Sequence, residues 1–349
     1  MKALTVDAQG LLSLQELPIP SYGACQALVK MRSCGVCSGT DMKLIHHTFK
    51  NFDTYPAILG HEGVGEVVEI GEKVENLRRG DLVLLPFLEG KIGEYTPGWG
   101  AYSEYALVGD AEAYIRCGMG PGTKQWSEGY LAQTVLGPED RVNPVEAAMI
   151  VTFREVLSAI RRFGFQPNQN IVVLGAGPVG LCFTRFLKLL GIKTVITTDI
   201  LDEKVETALE MGADYAFNSA KCDIIHEVRT LFPDGVDAVV DAVGVNALLN
   251  QAMQMMCSHG KICGYGISPK LSVNLDWSNA PYNWSLHFIQ WPSKAEEAQA
   301  HAQIMAWINM KVLNPMDFIS DVIPFSRITD AFTLIEQHLP STKKIVIEF

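Results

Sequence analysis

The chain has 349 residues, of which 48% are hydrophobic and 19% are charged, and its formal net charge is −11 at pH 7. This length is too great for one ordinary core and predicts two domains with large apolar interiors. The excess of acidic residues argues against a nucleic-acid partner and against an anionic membrane surface, because both attract a basic face.

The N-terminal segment has too few apolar residues for the core of a signal peptide, since Asp7 follows closely on Lys2. No run approaches the ~20 apolar residues that a membrane-spanning helix needs. We therefore expect a cytoplasmic protein. Its eight cysteines are mostly isolated in apolar surroundings, which in a reducing compartment predicts buried side chains or metal ligands rather than disulfides.

The first 110 residues predict a β-rich, barrel-like domain. They are rich in valine and glycine, with short alternating segments at 64–70, 81–85 and 102–108. Residues 111–145 differ, because their glycine and proline content predicts an ordered but irregular excursion. Excursions of this length in a compact protein are usually functional.

The remaining sequence alternates between helix and strand. A segment with helical spacing at 145–163 precedes a short apolar strand at 171–174. Further strands, separated by helices, are expected at 194–198, 215–217, 236–240 and 261–263. This alternation predicts a parallel sheet. The pattern becomes mixed towards the C-terminus, where 344–349 predicts a strand that returns to the first domain.

A glycine-rich turn at 175–180 (GAGPVG) follows the strand at 171–174 and opens a helix. Gly175 permits the tight turn, Gly177 leaves room for a pyrophosphate, and Gly180 lets the helix pack closely on the strand. Pro178 suits the first helical turn, and the helix N-terminus attracts phosphate. The alternative is a purely structural turn, but this strand–turn–helix context is the one that a dinucleotide site requires.

Asp199 ends the next strand and is expected to accept hydrogen bonds from the adenosine ribose. Its charge would repel the 2′-phosphate of NADP, and no arginine occurs at 200–202, which favours NAD. Lys204 is near enough to leave NADP open. We also place Val179 and Val243 among the residues that contact the cofactor.

Two segments carry potential metal ligands, 34–43 (CGVCSGTDMK) and 60–65 (GHEGVG). Cys37 and His61 offer a thiolate and an imidazole, which suit zinc, and Asp41 is placed to hold the other ring nitrogen of His61. Taken alone, Cys34 and Cys37 also suggest a zinc knuckle or a redox pair. No second C-x-x-C motif follows, so a four-cysteine structural site is not expected.

The segment 60–74 (GHEGVGEVVEIGEKV) resembles the zinc signature of the medium-chain dehydrogenase/reductase superfamily. Residues 80–81 and 100–105 (GAYSEY) are similar to further landmarks of that family, and the resemblance covers essentially the whole chain except 111–140. It implies an α/β protein in which a GroES-like, β-rich catalytic domain accompanies a Rossmann coenzyme domain with a doubly wound parallel sheet. The implied domains are 1–152 with 291–349, and 153–290.

The resemblance also implies a catalytic zinc. Cys37 and His61 match its first two ligands, and Glu62 matches an acid that binds or exchanges at the metal in some members. No cysteine occurs at 85–99, so we predict no structural zinc. The alternative is that the site has lost its metal.

The third protein ligand of the family would fall at Val151, which cannot bind metal. Glu155 lies four residues on, hence on the same helical face, and is predicted as an added ligand or as an acceptor for a substrate hydroxyl. The alternative makes Glu155 an ordinary ion-pair partner of Arg154 or Arg161.

Three further residues receive catalytic roles through the resemblance. Thr40 resembles the hydroxyl that takes the proton of the substrate, although one residue is inserted before it. Asp41 matches the partner of the ligand histidine. Lys43 occupies the place where many members have a histidine relay.

These features predict an oxidoreductase that transfers hydride between a secondary alcohol, of polyol or sugar type, and NAD. Members without the structural-zinc lobe often act on such substrates, and Lys43, Arg154 and Glu155 would suit many hydroxyl groups. Aromatic residues that either line a sugar cleft or form core and subunit interface are Trp126, Tyr130, Trp277, Tyr282, Trp284 and Trp291.

Two other functions remain open on the sequence. One is a zinc-free NAD(P)H-dependent reductase of the same fold, and the other is a nucleotide-binding protein without turnover. The resemblance further implies a homodimer or homotetramer acting on a small-molecule alcohol, with no nucleic acid and no membrane as partner.

Overall fold

The computed structural model describes residues 1–137 and 139–349. The chain divides into two compact units, one formed by Met1–Arg154 with Ser293–Phe349 and the other by Glu155–Pro292. The divisions fall after 154 and before 293, where the sequence predicted 152 and 291. Residue 138, part of the predicted excursion, lies outside the described residues.

The strands are numbered in chain order. They are β1 (Lys2–Val6), β2 (Leu12–Glu16), β3 (Gln26–Gly35), β4 (Ala57–Ile58), β5 (Glu62–Ile70), β6 (Leu82–Leu84), β7 (Thr96–Pro97), β8 (Tyr105–Gly109), β9 (Thr134–Leu136), β10 (Asn170–Leu174), β11 (Thr194–Asp199), β12 (Tyr215–Asn218), β13 (Val236–Asp241), β14 (Met256–Gly264), β15 (Trp284–Phe288), β16 (Ile319–Pro324) and β17 (Lys344–Glu348).

The helices are numbered in the same way. They are α1 (Ser38–Ile45), α2 (Ala111–Arg116), α3 (Gly129–Ala132), α4 (Pro144–Phe163), α5 (Pro178–Leu189), α6 (Asp202–Glu210), α7 (Ile224–Leu231), α8 (Ala247–Met255), α9 (Lys294–Asn309) and α10 (Ile328–Glu336). Among the described residues, no helix combines the length and the apolar character needed to cross a lipid bilayer.

The first unit is built on two sheets. The larger has the order β16-β17-β3-β5-β6-β9, with β8 also paired to β3, and the smaller has the order β2-β1-β4-β7. The predicted C-terminal strand is confirmed, since β17 pairs antiparallel with β3. Strand β3 carries buried side chains on both faces because it lies inside the larger sheet.

The excursion at 111–145 is more regular than the sequence predicted. It contains α2 and α3, and β9 extends the larger sheet by pairing with β6. A three-residue strand has too few positions to show alternation, which explains why the sequence pattern missed it. Asp110 caps α2 by accepting the N–H of Ala113.

The second unit contains a parallel sheet with the order β12-β11-β10-β13-β14-β15. Helices α5 to α8 connect the successive strands from β10 to β14, which confirms the predicted Rossmann-like α/β architecture. The central strands pack apolar side chains into one core cluster that includes Val172, Ile196, Val239 and Ile262. The edge strand β15 was not predicted, because its side chains are half-buried or exposed and form no apolar run.

The C-terminal part of the first unit is also more helical than expected. Helix α9 begins at a capping box, in which Ser293 and Glu296 satisfy each other's backbone N–H groups. The residues that follow form β16, α10 and β17. The mixed sequence pattern therefore conceals a long helix with a clear start signal.

Candidate active site

Strand pairing in the first unit brings the two predicted metal segments together. Gly35, at the end of β3, lies opposite Glu62, at the start of β5, in antiparallel register. Cys37 follows Gly35 by two residues and His61 precedes Glu62 by one, so both extend from the same end of the paired strands. The approach is close: a Cβ atom on Gly35 would lie 2.2 Å from the Oε2 atom of Glu62. A side chain at position 35 would therefore displace the Glu62 carboxylate.

Cys37, His61 and Glu62 form a compact donor cluster, which we call the CHE cluster. One potential ligand atom from each lies within 4.8 Å of the other two, and no other group of three such residues occurs in the described part of the chain. His61 and Glu62 are buried, and Cys37 is half-buried. The sequence predicted this set of three.

Asp41 organises the CHE cluster from the first turn of α1. Its Oδ2 atom accepts the backbone N–H of Cys37 at 3.0 Å and the hydroxyl of Tyr102 at 2.7 Å. Its Oδ1 atom lies 3.5 Å from the Nδ1 atom of His61, at the outer limit of a hydrogen bond. The predicted Asp41–His61 contact is thus present, and Asp41 holds both ligand residues. Tyr102 is an additional supporting residue that the sequence did not indicate.

The electrostatics of His61 reflect two neighbouring side chains, Asp41 and Cys37. Burial alone would lower the pKa of His61, but the neighbouring Asp41 and Cys37 side chains outweigh it and hold that pKa well above its usual value. The imidazole also lies against Trp99, with ring centroids 5.4 Å apart. The side chains of Asp41 and Cys37 therefore favour a positive charge at His61, carried either by a proton on the ring or by a metal ion bound to it.

Cys34 does not join the CHE cluster. Its side chain is fully buried and its Sγ atom contacts the carbonyl oxygen of Gly35 at 3.6 Å. Burial, and then the nearby Asp41 carboxylate, raise the pKa of the Cys34 thiol well above its usual value. Cys34 is therefore a protonated core residue, which disfavours both a zinc knuckle and a Cys34–Cys37 redox pair.

Lys344 is a site residue that the sequence analysis missed. Its Nζ atom donates to both carboxylate oxygens of Glu62, at 2.7 and 2.6 Å, and both side chains are almost fully buried. The register of β17 on β3, with Val346 opposite Gly35, brings Lys344 to the level of Glu62. The only sequence feature that could have indicated this role is a lysine at the start of an apolar strand.

The two predicted proton-transfer residues share α1 with Asp41. Thr40 is buried in the first turn of the helix. The Nζ atom of Lys43 donates to the carbonyl oxygen of Gly39 at 2.6 Å. Burial lowers the pKa of Lys43, while the neighbouring Cys37 raises it to a smaller extent. Lys43 therefore gives up a proton more readily than an exposed lysine.

The CHE cluster fits a zinc ion. A thiolate and an imidazole are the ligand types that zinc favours, and Asp41 orients the imidazole as a supporting carboxylate does in zinc sites. Glu62 supplies an oxygen donor whose charge Lys344 already balances. Cys37 and His61 would therefore be the principal ligands, with Glu62 as the third donor.

The glycine-rich turn adopts the conformation that its sequence predicts. Gly175 has φ +96°, and a Cβ atom on Gly180 would lie 1.8 Å from the carbonyl oxygen of Gly175. A Cβ atom on Gly177 would meet nothing within 4 Å, so the space beside this residue is open. Pro178 is the first residue of α5, and Val179 follows half-buried in the first turn.

Asp199 and Val243 border this turn within the second unit. Asp199 accepts the backbone N–H groups of Ala176 and Ile200, both at 2.8 Å. The Cγ2 atom of Val243 lies 2.5 Å from the position of a Cβ atom on Gly175, so Val243 packs directly on the turn. The residues predicted to bind the cofactor therefore lie together.

Arg154 is not a substrate-binding residue, and that expectation is wrong. Its side chain is completely buried, and the guanidinium donates to the carbonyl oxygens of Ala132 and Glu297 at 2.7 and 3.1 Å. It also donates to the Thr134 hydroxyl at 3.2 Å. Arg154 thus ties α9 to the segment that leads into β9.

The position aligned with the missing third ligand is Val151, which is fully buried in α4. Glu155 is half-buried in the same helix and is the first residue of the second unit. It is not part of the CHE cluster. Its role as a ligand or hydroxyl acceptor stays a prediction.

The predicted aromatic residues do not form one cluster. Tyr130 is buried between Phe87 and Tyr114, with ring centroids 6.0 and 4.6 Å away, and Trp126 packs against its edge. The prediction of a sugar cleft is wrong for this pair, and the alternative of a core role holds. Among the others, Trp284 packs on the core of the second unit, and the exposed members are Trp277, Tyr282 and Trp291.

The fold and the CHE cluster define a class of protein: a two-unit α/β chain with a Rossmann-like sheet and a metal-compatible donor set in a β-rich unit. Residues 23–147 match the family of alcohol dehydrogenase GroES-like domains, and residues 178–290 match the family of zinc-binding dehydrogenases. The chain belongs to the zinc-dependent medium-chain dehydrogenase/reductase superfamily.

Individual relatives agree with this assignment. An alcohol dehydrogenase of Cupriavidus necator is 30% identical over 296 residues, which cover 79% of each chain. A sorbitol dehydrogenase of Bacillus subtilis is 28% identical and is covered to 78%, with 81% of this chain aligned. The structure of the alcohol dehydrogenase TADH from Thermus sp. ATN1 matches with a TM-score of 0.78 at 21% identity, over 100% of this chain and 99% of that one. This last likeness supports the fold.

Proposed function

We propose that this protein is a zinc-dependent dehydrogenase that interconverts a secondary alcohol and a ketone with NAD as the hydride carrier. The single observation that carries the proposal is the CHE cluster, since its donor set fits zinc and Asp41 supports two of its members. The names of the relatives, alcohol dehydrogenase and sorbitol dehydrogenase, support oxidation at a CH–OH group.

A zinc ion bound at the CHE cluster would supply Lewis-acid chemistry, which makes an alcohol easier to deprotonate. Cys37 and His61 would hold the ion through their side chains. Asp41 holds Cys37 through its backbone N–H and fixes the ring of His61. Glu62 contributes an oxygen donor, and Lys344 keeps that carboxylate in place.

The proton of the alcohol leaves through residues of α1. Thr40 accepts it at the hydroxyl, and Lys43 lies one turn further along the same helix. The lowered pKa of Lys43 favours this role, because a lysine that loses its proton easily can relay one. Glu155 is proposed as an additional hydroxyl acceptor.

The coenzyme binds at the glycine-rich turn of the second unit. Gly175, Gly177 and Gly180 admit the pyrophosphate to the start of α5, and Val179 and Val243 contact the coenzyme from either side of the turn. Asp199 accepts the ribose hydroxyls and repels a 2′-phosphate, which supports NAD over NADP.

The substrate class is a polyol or a sugar alcohol. This rests on the sorbitol dehydrogenase relative, on the absence of cysteines from 85–99, and on Lys43 as a cation near the CHE cluster. The test is a panel of polyols, sugars, sugar phosphates and simple alcohols, assayed with NAD and with NADP. Turnover of simple primary alcohols alone would contradict the substrate class.

Metal analysis of protein purified without chelator tests the zinc assignment. Wild type is expected to hold one zinc per chain, as the CHE cluster predicts, and Cys37→Ala is expected to lose it together with activity. Cys222→Ser serves as the control, because Cys222 lies on the coenzyme unit, and it should retain both. Equal zinc in Cys37→Ala and wild type would remove the proposal. Full activity after complete zinc removal would favour the zinc-free reductase.

We further propose that the protein is a cytoplasmic homo-oligomer, a dimer or tetramer. The edge strand β15 leaves one side of the six-strand order unpaired within the described chain. Phe288 on this strand and the nearby Tyr282 and Trp277 are exposed, which favours a second copy of the chain on this edge. Light scattering of the purified protein should give at least twice the 38.4 kDa of one chain, and a monomer would contradict this.

A further inference from the structure

The first unit contains a pair of cysteines that the dehydrogenase chemistry does not use. Cys25 directly precedes β3 and is buried, and Cys117 caps the C-terminal end of α2 and is exposed. In the sequence the two cysteines look unrelated, because about 90 residues separate them.

Packing brings these two cysteines together. Cys25 lies in an apolar cluster with Ala113 and Tyr114 of α2. Its carbonyl oxygen accepts the backbone N–H of Asp110 at 2.9 Å, immediately before that helix. Cys117 lies four residues after Ala113, one turn further along the helix face that Cys25 contacts. The Cys117 thiol lies close enough to Cys25 to raise the pKa of that side chain.

The two sulfurs differ in reactivity. Burial, and then the neighbouring Cys117 thiol, raise the pKa of the Cys25 thiol to about 11, so Cys25 is protonated at neutral pH. Oxidation of cysteine depends on exposure, and Cys117 is exposed whereas Cys25 is buried. Cys117 is accordingly the sulfur that an oxidant reaches.

We propose that Cys25 and Cys117 form a reversible redox modification site, at which a hydroperoxide converts the two thiols into an intramolecular disulfide. The Cys117 sulfur attacks the peroxide, the O–O bond breaks, and Cys117 becomes a sulfenic acid while water or an alcohol leaves. The Cys25 sulfur then attacks the Cys117 sulfur. The S–S bond forms, the S–O bond breaks, and the departing hydroxide takes the Cys25 proton to leave as water.

This step balances with the peroxide as the sole oxidant. The two cysteines together lose two electrons and two protons, and the peroxide is reduced by the same two electrons. A small dithiol reverses the reaction by thiol–disulfide exchange.

The backbone next to Cys117 borders open space. Gly118, which follows Cys117, has φ +72° and meets no heavy atom within 4 Å of its Cβ position. The bridge would join α2 to the start of β3, the strand that leads to Cys37. It would also close a loop of about 90 residues that contains the CHE cluster, which stabilises a protein by restricting its unfolded chain.

The test uses the native full-length protein, treated with hydrogen peroxide, quenched with an alkylating reagent and digested with trypsin. The expected product is residues 117–124 (CGMGPGTK) joined to residues 3–30, lighter than the two peptides together by two hydrogens, and absent after dithiothreitol. Cys117→Ser should yield no disulfide at Cys25. Cys222→Ser is the matched control and should form the cross-link as wild type does.

Three outcomes would overturn the proposal. These are recovery of residues 117–124 chiefly as a free thiol, recovery chiefly as a sulfinic or sulfonic acid, and a cross-link to a cysteine other than Cys25, including one of a second chain. A second readout is the melting temperature, which should rise on oxidation of wild type and not of Cys117→Ser. Because the wild-type peptide map decides the matter alone, a variant that fails to fold does not affect the result.

Discussion

Lys344, in the last strand of the chain, donates two hydrogen bonds to Glu62, the residue next to the ligand histidine. The Nζ–Oε distances are 2.7 and 2.6 Å, and the two side chains are 3% and 1% exposed. The C-terminal strand therefore completes the charge balance of the CHE cluster. An unpaired carboxylate buried at this position would be strongly destabilising.

Lys344→Met should lower the free energy of unfolding by about 3 kcal/mol, because it leaves Glu62 buried without its partner. Adding Glu62→Gln to this variant should cost less than the sum of the two single changes, since the stranded charge is then gone. Urea denaturation measures all three. Lys343→Met is the control, because Lys343 is half-buried beside Lys344 and donates only to a carbonyl oxygen. Additive losses would show that the two side chains are not coupled.

Asp41→Asn should weaken zinc binding about 10- to 100-fold, because the carboxylate supports both Cys37 and His61. Tyr102→Phe removes one hydrogen bond to Asp41 and leaves its charge, so its effect should be clearly smaller. Competition with a chromophoric chelator gives the affinities. An Asp41→Asn protein that binds zinc as tightly as Tyr102→Phe would contradict this role of the carboxylate.

Asp199→Asn should lower the ratio of kcat/KM for NAD to that for NADP by about tenfold or more, which corresponds to about 1.4 kcal/mol of discrimination. The amide keeps an oxygen to accept the Ala176 N–H but removes the charge that repels a 2′-phosphate. The ratio is the useful quantity, since any loosening of the turn affects both coenzymes. Glu210→Gln, an exposed change on α6, should leave it unaltered. An unchanged ratio in Asp199→Asn would show that Asp199 does not select NAD.

His301 should make stability depend on pH. Burial, and then the Arg154 guanidinium, lower the pKa of His301 to about 4, whereas an unfolded histidine titrates near 6.5. Between these values the unfolded chain binds more protons, so acidification from pH 7 to pH 4 destabilises the fold. Because the ring is only partly buried, we expect a contribution of about 2 kcal/mol. His301→Gln should lose this part of the pH dependence in urea denaturation, and identical pH profiles would refute the assignment.

Several features of the protein were readable in the sequence because they are local. The glycine-rich turn, Asp199 at the end of its strand and the alternation of helix and strand depend on backbone sterics and on periodicity. Each therefore appears in a few consecutive residues. The pair of segments around Cys37 and His61 was recognisable for the same reason, because each carries its ligands and their spacing within about ten residues.

Other features required the folded chain. Lys344 reaches Glu62 through the register of β17 on β3, and Cys25 meets Cys117 through the packing of α2. The sequence suggested Arg154 for substrate binding and left Tyr130 open between a sugar cleft and the core, and burial places both in the core. Local patterns determined the fold class, the nucleotide turn and the candidate ligands. Only the tertiary structure decided which charges are paired and which side chains are buried, because both depend on contacts between residues far apart in the chain.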